Sequence, residues 1–249
     1  MLMKLPLPYL CCAGGAIHST LQNNGMLLSR LDFVNNSALQ FGGAVYVGED
    51  HTSISFREVL VQGSSSATGG GMFFSRFSSQ IEVASSPIVQ NSAGTGGGVL
   101  SLADGLTVRS SAIDSNTASS LCGGLFAQDA ANYLIIEGTS ISRNVAGASS
   151  GGLRVSLSSN TTIDSCQFTE NEVLAGSGGA ASISASSSVL VRTTSFVGNS
   201  AAASGGAVTL DSQSRIVSFV DDRWQGNRAG ARGGALYVAH ADTEGLPFR

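Results

Sequence analysis

The chain has 249 residues, a net charge of −4 and 12% charged residues, and it contains 32 glycines. Disorder needs low hydrophobicity with high net charge, and 42% of these residues are hydrophobic, so the composition excludes a disordered chain. The charge pattern lacks the basic patch of a nucleic-acid binder, and no apolar run is long enough for a transmembrane segment. Short alternating apolar runs between small residues instead predict β-strands joined by tight turns.

The first twelve residues loosely resemble an export signal, with Lys4 followed by a short apolar stretch. Because Pro6 and Pro8 interrupt that stretch and a repeat begins at Gly14, the segment is not a convincing signal peptide. The four cysteines, Cys11, Cys12, Cys122 and Cys166, are too few for a disulfide framework and form no metal-binding motif. We therefore expect the cysteines to serve as small buried hydrophobic residues, and we expect no metal and no cofactor.

Glycine pairs recur along the chain at intervals of 26 to 28 residues. They start at Gly14, Gly42, Gly70, Gly97, Gly123, Gly151, Gly178, Gly205 and Gly233. Most are preceded, six or seven residues earlier, by an asparagine: Asn36, Asn91, Asn116, Asn144, Asn171, Asn199 and Asn227. In the second full coil, Gln62 or Gly63 takes this place. Three residues before each asparagine stands a large apolar residue: Phe33, Ile88, Ile113, Ile141, Phe168, Phe196 and Trp224.

A unit of this length that holds only short strands cannot bury its own apolar face, but stacked copies can. We therefore predict an all-β fold, a right-handed parallel β-helix (β-solenoid) of about nine coils, formed by residues 1–249 as a single domain. The apolar residues before the asparagines should form one inward column. A second column should contain Leu28, Ile54, Val83, Val108, Ile136, Ile163, Val191 and Phe219, and a column of small residues should contain Ser86, Ser111, Thr139, Cys166 and Thr194.

The seven asparagines are predicted to form a ladder at one corner of the solenoid, where each amide bonds to the amide one coil away. The glycine pairs are predicted to form the opposite corner, where glycine permits close approach of backbones. Both features then serve the fold, and neither is expected to bind a ligand.

The repeat motifs also carry a family resemblance. Gly-Gly-Ala followed by Ile, Val or Leu occurs at 14–17, 42–45, 205–208 and 233–236, and Phe-x-x-Asn occurs at 33–36, 168–171 and 196–199. This pairing resembles the repeats of the chlamydial polymorphic outer membrane proteins, a family of autotransported surface adhesins, and of pectin-lyase-like right-handed β-helix proteins. The resemblance implies an extracellular or cell-surface location and a role in adhesion. It covers nearly the whole chain, but the sequence lacks the C-terminal barrel strands of an autotransporter.

Neither terminus offers an amphipathic helix to cover the end of the stack. A solenoid without caps exposes strand edges and core residues, so natural solenoids are capped. We therefore predict that the chain is a fragment that lacks caps at both ends. We expect the isolated chain to self-associate, and a monodisperse monomer at high concentration in light scattering would contradict this.

Catalysis needs convergent acidic and basic groups on one face of the solenoid. The candidates are Asp221 and Asp222, next to Arg223, and Arg192 and Arg215 are expected to lie near them. One coil earlier, however, the matching positions hold Thr193 and Thr194, so no acidic column forms. Glu170 and Glu172, which flank Asn171, are interpreted as surface charges.

The sequence thus favours a non-catalytic β-helix segment of a secreted or cell-surface adhesion protein. Its partners would be glycans or the surface proteins of a host or neighbouring cell. Tyr46 and Tyr237 are either exposed contact residues or core residues. Two alternatives remain open: a fragment of a β-helical polysaccharide lyase or glycoside hydrolase, and a structural stalk.

Overall fold

The structure is a computed structural model that describes residues 13–20, 24–130, 132–186, 188–211 and 213–239. Cys11, Cys12 and the rest of the candidate export signal lie outside these residues, as does the tail from residue 240 onward. All regular secondary structure in the described part is β-strand, and the strands form four parallel sheets. We number the sheets 1 to 4 in the order in which each coil passes through them.

Sheet 1 follows the glycine corner and has nine strands, which lie in chain order along the axis. They are Ile17–Ser19, Val45–Val47, Met72–Phe74, Val99–Ser101, Leu125–Gln128, Leu153–Ser156, Ala181–Ser184, Val208–Leu210 and Leu236–Val238. Sheet 2 has eight strands in the same order. They are Leu27–Ser29, Thr52–Arg57, Ser79–Ala84, Gly105–Arg109, Tyr133–Glu137, Asn160–Asp164, Ser188–Arg192 and Ile216–Val220.

Sheet 3 also has eight strands and precedes the asparagine corner. They are Asp32–Val34, Leu60–Gln62, Pro87–Val89, Ala112–Asp114, Ser140–Ser142, Gln167–Thr169, Ser195–Val197 and Arg223–Gln225. Sheet 4 has seven strands and leads back to the glycine corner. They are Ser65–Thr68, Ser92–Thr95, Thr117–Leu121, Val145–Ala146, Glu172–Val173, Ser200–Ala201 and Arg228–Ala229.

Each strand pairs in parallel with the equivalent strand one coil away, so the predicted all-β solenoid is confirmed. Coils 1 to 9 begin at the glycine corner, at residues 14, 42, 69, 96, 122, 150, 178, 205 and 233. Consecutive strands belong to different sheets, and each of coils 2 to 8 contributes one strand to every sheet. The core therefore forms between the four inner faces.

The predicted apolar column is present in sheet 3. The registers align Phe33, Val61, Ile88, Ile113, Ile141, Phe168, Phe196 and Trp224. The ring centroids of Phe168 and Phe196 lie 5.0 Å apart, and those of Phe196 and Trp224 lie 4.4 Å apart, with nearly parallel planes. Stacking like side chains on like gives the solenoid a continuous core that no single coil could form.

The predicted register of coil 2 was wrong. Phe56, rather than Ile54, stacks between Leu28 and Val83, and Ile54 stacks on Ile81. The asparagine position of this coil is accordingly Ser64, two residues beyond Gln62, because Ile88 pairs with Val61. Both Ile54 and Phe56 are fully buried, so alternation alone allows either register.

The predicted first residue of four glycine corners was also wrong, by one position. Sheet 1 strands begin three residues after Gly69, Gly96, Cys122 and Ser150, whereas the sequence placed the corners at Gly70, Gly97, Gly123 and Gly151. Cys122 and Ser150 adopt left-handed backbone angles, with φ of 56° and 54°. The first corner position therefore needs a left-handed conformation but not a glycine.

The second corner position is glycine in every coil. Its members are Gly15, Gly43, Gly70, Gly97, Gly123, Gly151, Gly179, Gly206 and Gly234. A Cβ atom at Gly123 would lie 2.5 Å from the carbonyl oxygen of Val145 and 2.8 Å from that of Gly151. The backbones of adjacent coils approach so closely here that no side chain fits, which accounts for the glycine repeat.

Candidate functional site

The buried asparagines are joined by hydrogen bonds from coil to coil. The backbone N–H and the side-chain Nδ2 of Asn116 both donate to Oδ1 of Asn144, each at 3.0 Å. Nδ2 of Asn116 also donates to the backbone oxygen of Ile88 in the preceding coil, at 2.9 Å. The same three bonds recur from Asn91 to Asn199, and Ser64 accepts from the N–H of Asn36 in their place.

Within this network, the buried asparagines have no side-chain hydrogen-bonding group left for a ligand. Asn91, Asn116, Asn144, Asn171 and Asn199 are between 0% and 1% exposed. Both hydrogens of each Nδ2 and the Oδ1 acceptor have partners within the protein, as buried amides require. We therefore assign these residues to the corner of the fold.

A second, shorter ladder runs along the corner between sheets 2 and 3. The N–H of Val59 donates to Oγ of Ser86, and the N–H of Ser86 donates to Oγ of Ser111, each at 3.1 Å. Each hydroxyl in turn donates to the carbonyl two residues earlier, as Ser86 does to Ala84 at 2.8 Å. Toward the C-terminus, Thr194 donates its N–H to Oδ1 of Asp222 at 2.7 Å. Asp222 thus occupies a position that Ser and Thr fill elsewhere.

The candidate catalytic pair does not converge on a cleft. Asp221 is exposed in the left-handed turn, with φ of 55°, while Asp222 is directed into the ladder. The Oδ2 atom of Asp222 is buried and has no hydrogen-bond partner. Arg192 is bound to Asp164 at 2.6 Å, one coil earlier. A pair of acids in these two settings lacks the shared open face that hydrolysis or elimination requires.

Burial, assisted by the charge of Asp221, raises the pKa of Asp222 above its ordinary value of 3.8. A carboxyl with a raised folded-state pKa stabilises the fold below its unfolded pKa, and that contribution is lost as pH rises through the folded pKa. At pH 7, Asp222→Asn replaces a buried carboxylate with a neutral amide. It should therefore raise the free energy of unfolding by roughly 1 kcal/mol, at the low end of the cost of burying an unpaired polar group. Urea denaturation at pH 7 and pH 3 measures the free energy of unfolding of the variant and of the original protein. The difference between them should vanish at pH 3. Asp221→Asn is the matched control and should change little, and a destabilised Asp222→Asn would contradict the account.

Other carboxylates are held in ion pairs between adjacent coils. Arg57 donates to Glu82 at 2.8 Å, and this hydrogen bond lowers the pKa of Glu82. The pKa of Asp164 is lowered in the same way by the hydrogen bond from Arg192. A general acid needs a raised pKa, so these groups are suited to holding coils together rather than to proton transfer.

The described cysteines are buried and unreactive. Burial raises the pKa of the Cys122 thiol to about 12 and that of Cys166 to about 11. Both thiols are free, and at neutral pH they stay protonated, which makes them poor nucleophiles. Within the described ranges, no group of three or more His, Cys, Asp or Glu residues is arranged to hold a metal ion. No helix in the same ranges has the length and apolar character of a membrane span.

Tyr46 and Tyr237 occupy the same outward row of sheet 1 and are half-buried. Tyr46 stacks on Phe73 with ring centroids 5.6 Å apart and also contacts Phe41. The row continues toward Phe126, over which the guanidinium of Arg154 lies at 5.4 Å. Tyr46 therefore belongs to a small apolar cluster outside the main core.

Among the described residues, a shallow, open depression on the outer face of sheet 4 is a candidate binding site. Its volume is about 410 Å³, within the size range of small-molecule sites. We call it the sheet 4 notch and define it by Glu172, Leu174, Ser200, Ala202, Arg228 and Gly230. Glu172, Ser200 and Arg228 are consecutive rungs of one outward row, and Leu174 is 58% exposed.

Sequence reasoning missed this notch, although the repeat contained the signal. Glu172, Ser200 and Arg228 each follow an asparagine of the ladder directly, so the period places them in one row. In earlier coils, that row holds the shorter side chains of Ser65, Ser92, Thr117 and Val145. The change to long charged residues in coils 6 and 8 was the distinguishing feature.

Comparison with known proteins agrees with this architecture. The family described as right handed beta helix region matches residues 15–242. No curated protein and no solved structure matches the chain. Since the match covers most of the chain and the strands form a parallel solenoid of the pectin-lyase-like type, the protein belongs to the right-handed β-helix family.

Proposed function

We propose that the chain is a non-catalytic β-helix segment of a secreted or cell-surface binding protein that takes part in adhesion. The observation that carries this proposal is the arrangement of its charges. Six ion pairs link charged side chains of different coils across the described residues, and five of them join adjacent coils. Charges used in this way stabilise the rod and do not converge on an active-site cleft.

The outer surface supports the same proposal. Through coils 2 to 5, the outer face of sheet 4 carries rows of short side chains, such as Ser65, Ser92 and Thr117. A long regular face of this kind suits contact with an extended partner. The resemblance of the Gly-Gly-Ala and Phe-x-x-Asn repeats to those of polymorphic outer membrane proteins is a second support, and with it we propose an extracellular or cell-surface location.

The test is a binding screen of the purified protein against a glycan array and a set of immobilised cell-surface proteins. We expect saturable binding to a restricted group of ligands. Saturable binding to no member of either set would contradict an adhesive role and favour a structural stalk. Turnover of a polysaccharide would instead favour the alternative of a lyase or hydrolase fragment.

A further inference from the structure

We propose that coil 1 is a detachable coil, which opens away from coil 2 while the rest of the solenoid stays folded. We call the contacts between two consecutive coils a joint, and those between coils 1 and 2 the first joint. The first joint differs from the later ones in the two hydrogen-bonded ladders that run along the corners of the stack. Opening of this coil does not depend on the proposed binding function.

The asparagine ladder is nearly absent from the first joint. Coil 2 carries Ser64 at the ladder position, and one side-chain bond of this ladder crosses the joint, from the N–H of Asn36 to Oγ of Ser64 at 3.3 Å. The hydroxyl of Ser64 donates to Gln62 in its own coil, so it has no hydrogen left for the carbonyl oxygen of Phe33. At every joint from coil 3 to coil 8, three bonds of this ladder cross.

The ladder between sheets 2 and 3 does not cross the first joint. Its position holds Leu31 in coil 1 and Val59 in coil 2, and neither side chain can accept a hydrogen bond. This ladder begins at the second joint, where the N–H of Val59 donates to Oγ of Ser86 at 3.1 Å. Asn91 makes two further bonds across the second joint. The described residues thus place one ladder bond at the first joint and at least three at each later joint up to coil 8.

Coil 1 is held by backbone pairing, by the apolar columns and by exposed polar contacts. Its strands in sheets 1 to 3 have three residues each, and it meets sheet 4 through two isolated bridges. Arg30 forms an ion pair with Glu58 at 3.1 Å, and Oγ1 of Thr52 donates to Oδ1 of Asn24 at 2.6 Å. The side chains of the ion pair are 80% and 58% exposed, and such a pair contributes little to stability.

The first joint is therefore the place where the stack opens most easily. The stability of a solenoid is approximately a sum of terms within coils and between neighbouring coils, so the joint with the fewest bonds opens at the lowest free energy. Opening leaves coils 2 to 8 paired with one another. It also frees one edge of the coil 2 strands and uncovers Ile54, Phe56 and Val61, which are fully buried in the closed form.

Amide hydrogen exchange followed by NMR tests the proposal on the original protein, because adjacent amides of coil 2 bond to different neighbours. The N–H groups of Leu60 and Ser65 donate to carbonyl oxygens of coil 1. Those of Val59 and Ser64 donate to side chains of coil 3. We expect protection factors for Leu60 and Ser65 at least about tenfold below those of Val59 and Ser64, since the first joint lacks at least two ladder bonds. Equal protection in the two pairs would overturn the proposal.

Ser64→Asn should hold coil 1 more firmly. Coil 7 combines the buried Asn199 with Ala180 at the third corner position, and coil 2 has Ala44 at that position, so an asparagine fits there. By analogy with the ladder, its amide would donate to coil 1 and accept from Asn36. We expect the protection factors of the Leu60 and Ser65 amides to rise about tenfold, because two hydrogen bonds are added across the joint.

Ser53→Asn is the matched control, because it makes the same substitution in coil 2 at an exposed position outside both ladders. Its left-handed backbone, with φ of 57°, is one that asparagine tolerates. This variant should leave the protection factors of Leu60 and Ser65 within about twofold of the original. Circular dichroism and thermal melts establish that both variants are folded. An equal rise in the two variants, or no rise in folded Ser64→Asn, would overturn the proposal and assign fast exchange to ordinary fraying of an end coil.

Discussion

Replacing Gly123 with alanine is expected to destabilise the protein by roughly 3 kcal/mol or more, at the upper end for overpacking. The new Cβ would lie 2.5 Å from the oxygen of Val145, 2.7 Å from its nitrogen and 2.8 Å from the oxygen of Gly151. All three are backbone atoms, and the nitrogen of Val145 and the oxygen of Gly151 form hydrogen bonds between coils. They therefore cannot move away without separating adjacent coils. Chemical denaturation followed by circular dichroism measures the change.

Gly198→Ala is the control for the glycine prediction. Gly198 has a φ of 66°, but a Cβ there would meet only Cγ of Glu170, at 3.5 Å. The substitution should therefore cost only about 1 kcal/mol, the price of a left-handed alanine. Equal effects at Gly123 and Gly198 would mean that backbone conformation, rather than close approach of coils, accounts for the repeated glycine.

Asn144→Ala is expected to destabilise the protein by roughly 3 to 5 kcal/mol, because several buried groups lose their partners. The Asn144 side chain is fully buried and makes four hydrogen bonds, two to Asn116, one to Asn171 and one to the oxygen of Ile113. Hydrogen exchange should show faster exchange of the Asn116 amide than in the original protein.

Two further variants separate the ladder from a general effect of removing an amide. Asn36→Ala should cost less than about 1 kcal/mol, since Asn36 is half-exposed at the first rung and bonds to the next coil through its backbone N–H and carbonyl, which alanine keeps. Asn144→Ser should fall between the two alanine variants, because Ser64 already fills a rung with a hydroxyl. Similar losses for Asn36→Ala and Asn144→Ala would contradict a cooperative internal ladder.

The sequence predicted the parallel solenoid because the period is enforced by stacking. Phe33 through Trp224 recur in phase since each must lie on its neighbour in the core. Coil 2 was misaligned because it has no asparagine to mark the corner, and Ile54 and Phe56 are both buried. Hydrophobic alternation has a period of two, so it cannot distinguish registers that differ by two residues.

The prediction of where each glycine corner begins was wrong for a different physical reason. Triplets such as 69–71 offer two possible pairs, and Cys122 and Ser150 occupy the left-handed position without being glycine. The pair was therefore an imperfect marker, whereas the second position, which excludes a Cβ, is glycine in all nine coils. Steric exclusion specifies residue type more strictly than backbone conformation does.

The candidate site was harder to predict than the fold. Asp221 and Asp222 were identified as neighbours in sequence, but adjacent turn residues take different environments, one exposed and one in a ladder. Glu172 and Arg228 are far apart in sequence and were interpreted singly as surface charges or not at all. Their relation depends on which rows face outward beside short side chains, which only the aligned coils reveal.

The most direct test of the non-catalytic account is a degradation assay of the original protein beside the Asp221→Asn/Asp222→Asn double variant. Both are incubated with acidic and neutral polysaccharides, and new reducing ends and the absorbance of unsaturated products are measured. The account predicts no product above the buffer control from either protein, with the double variant folded and at least as stable. Degradation by the original protein that disappears in the folded double variant would contradict it and place an active site at the last coils.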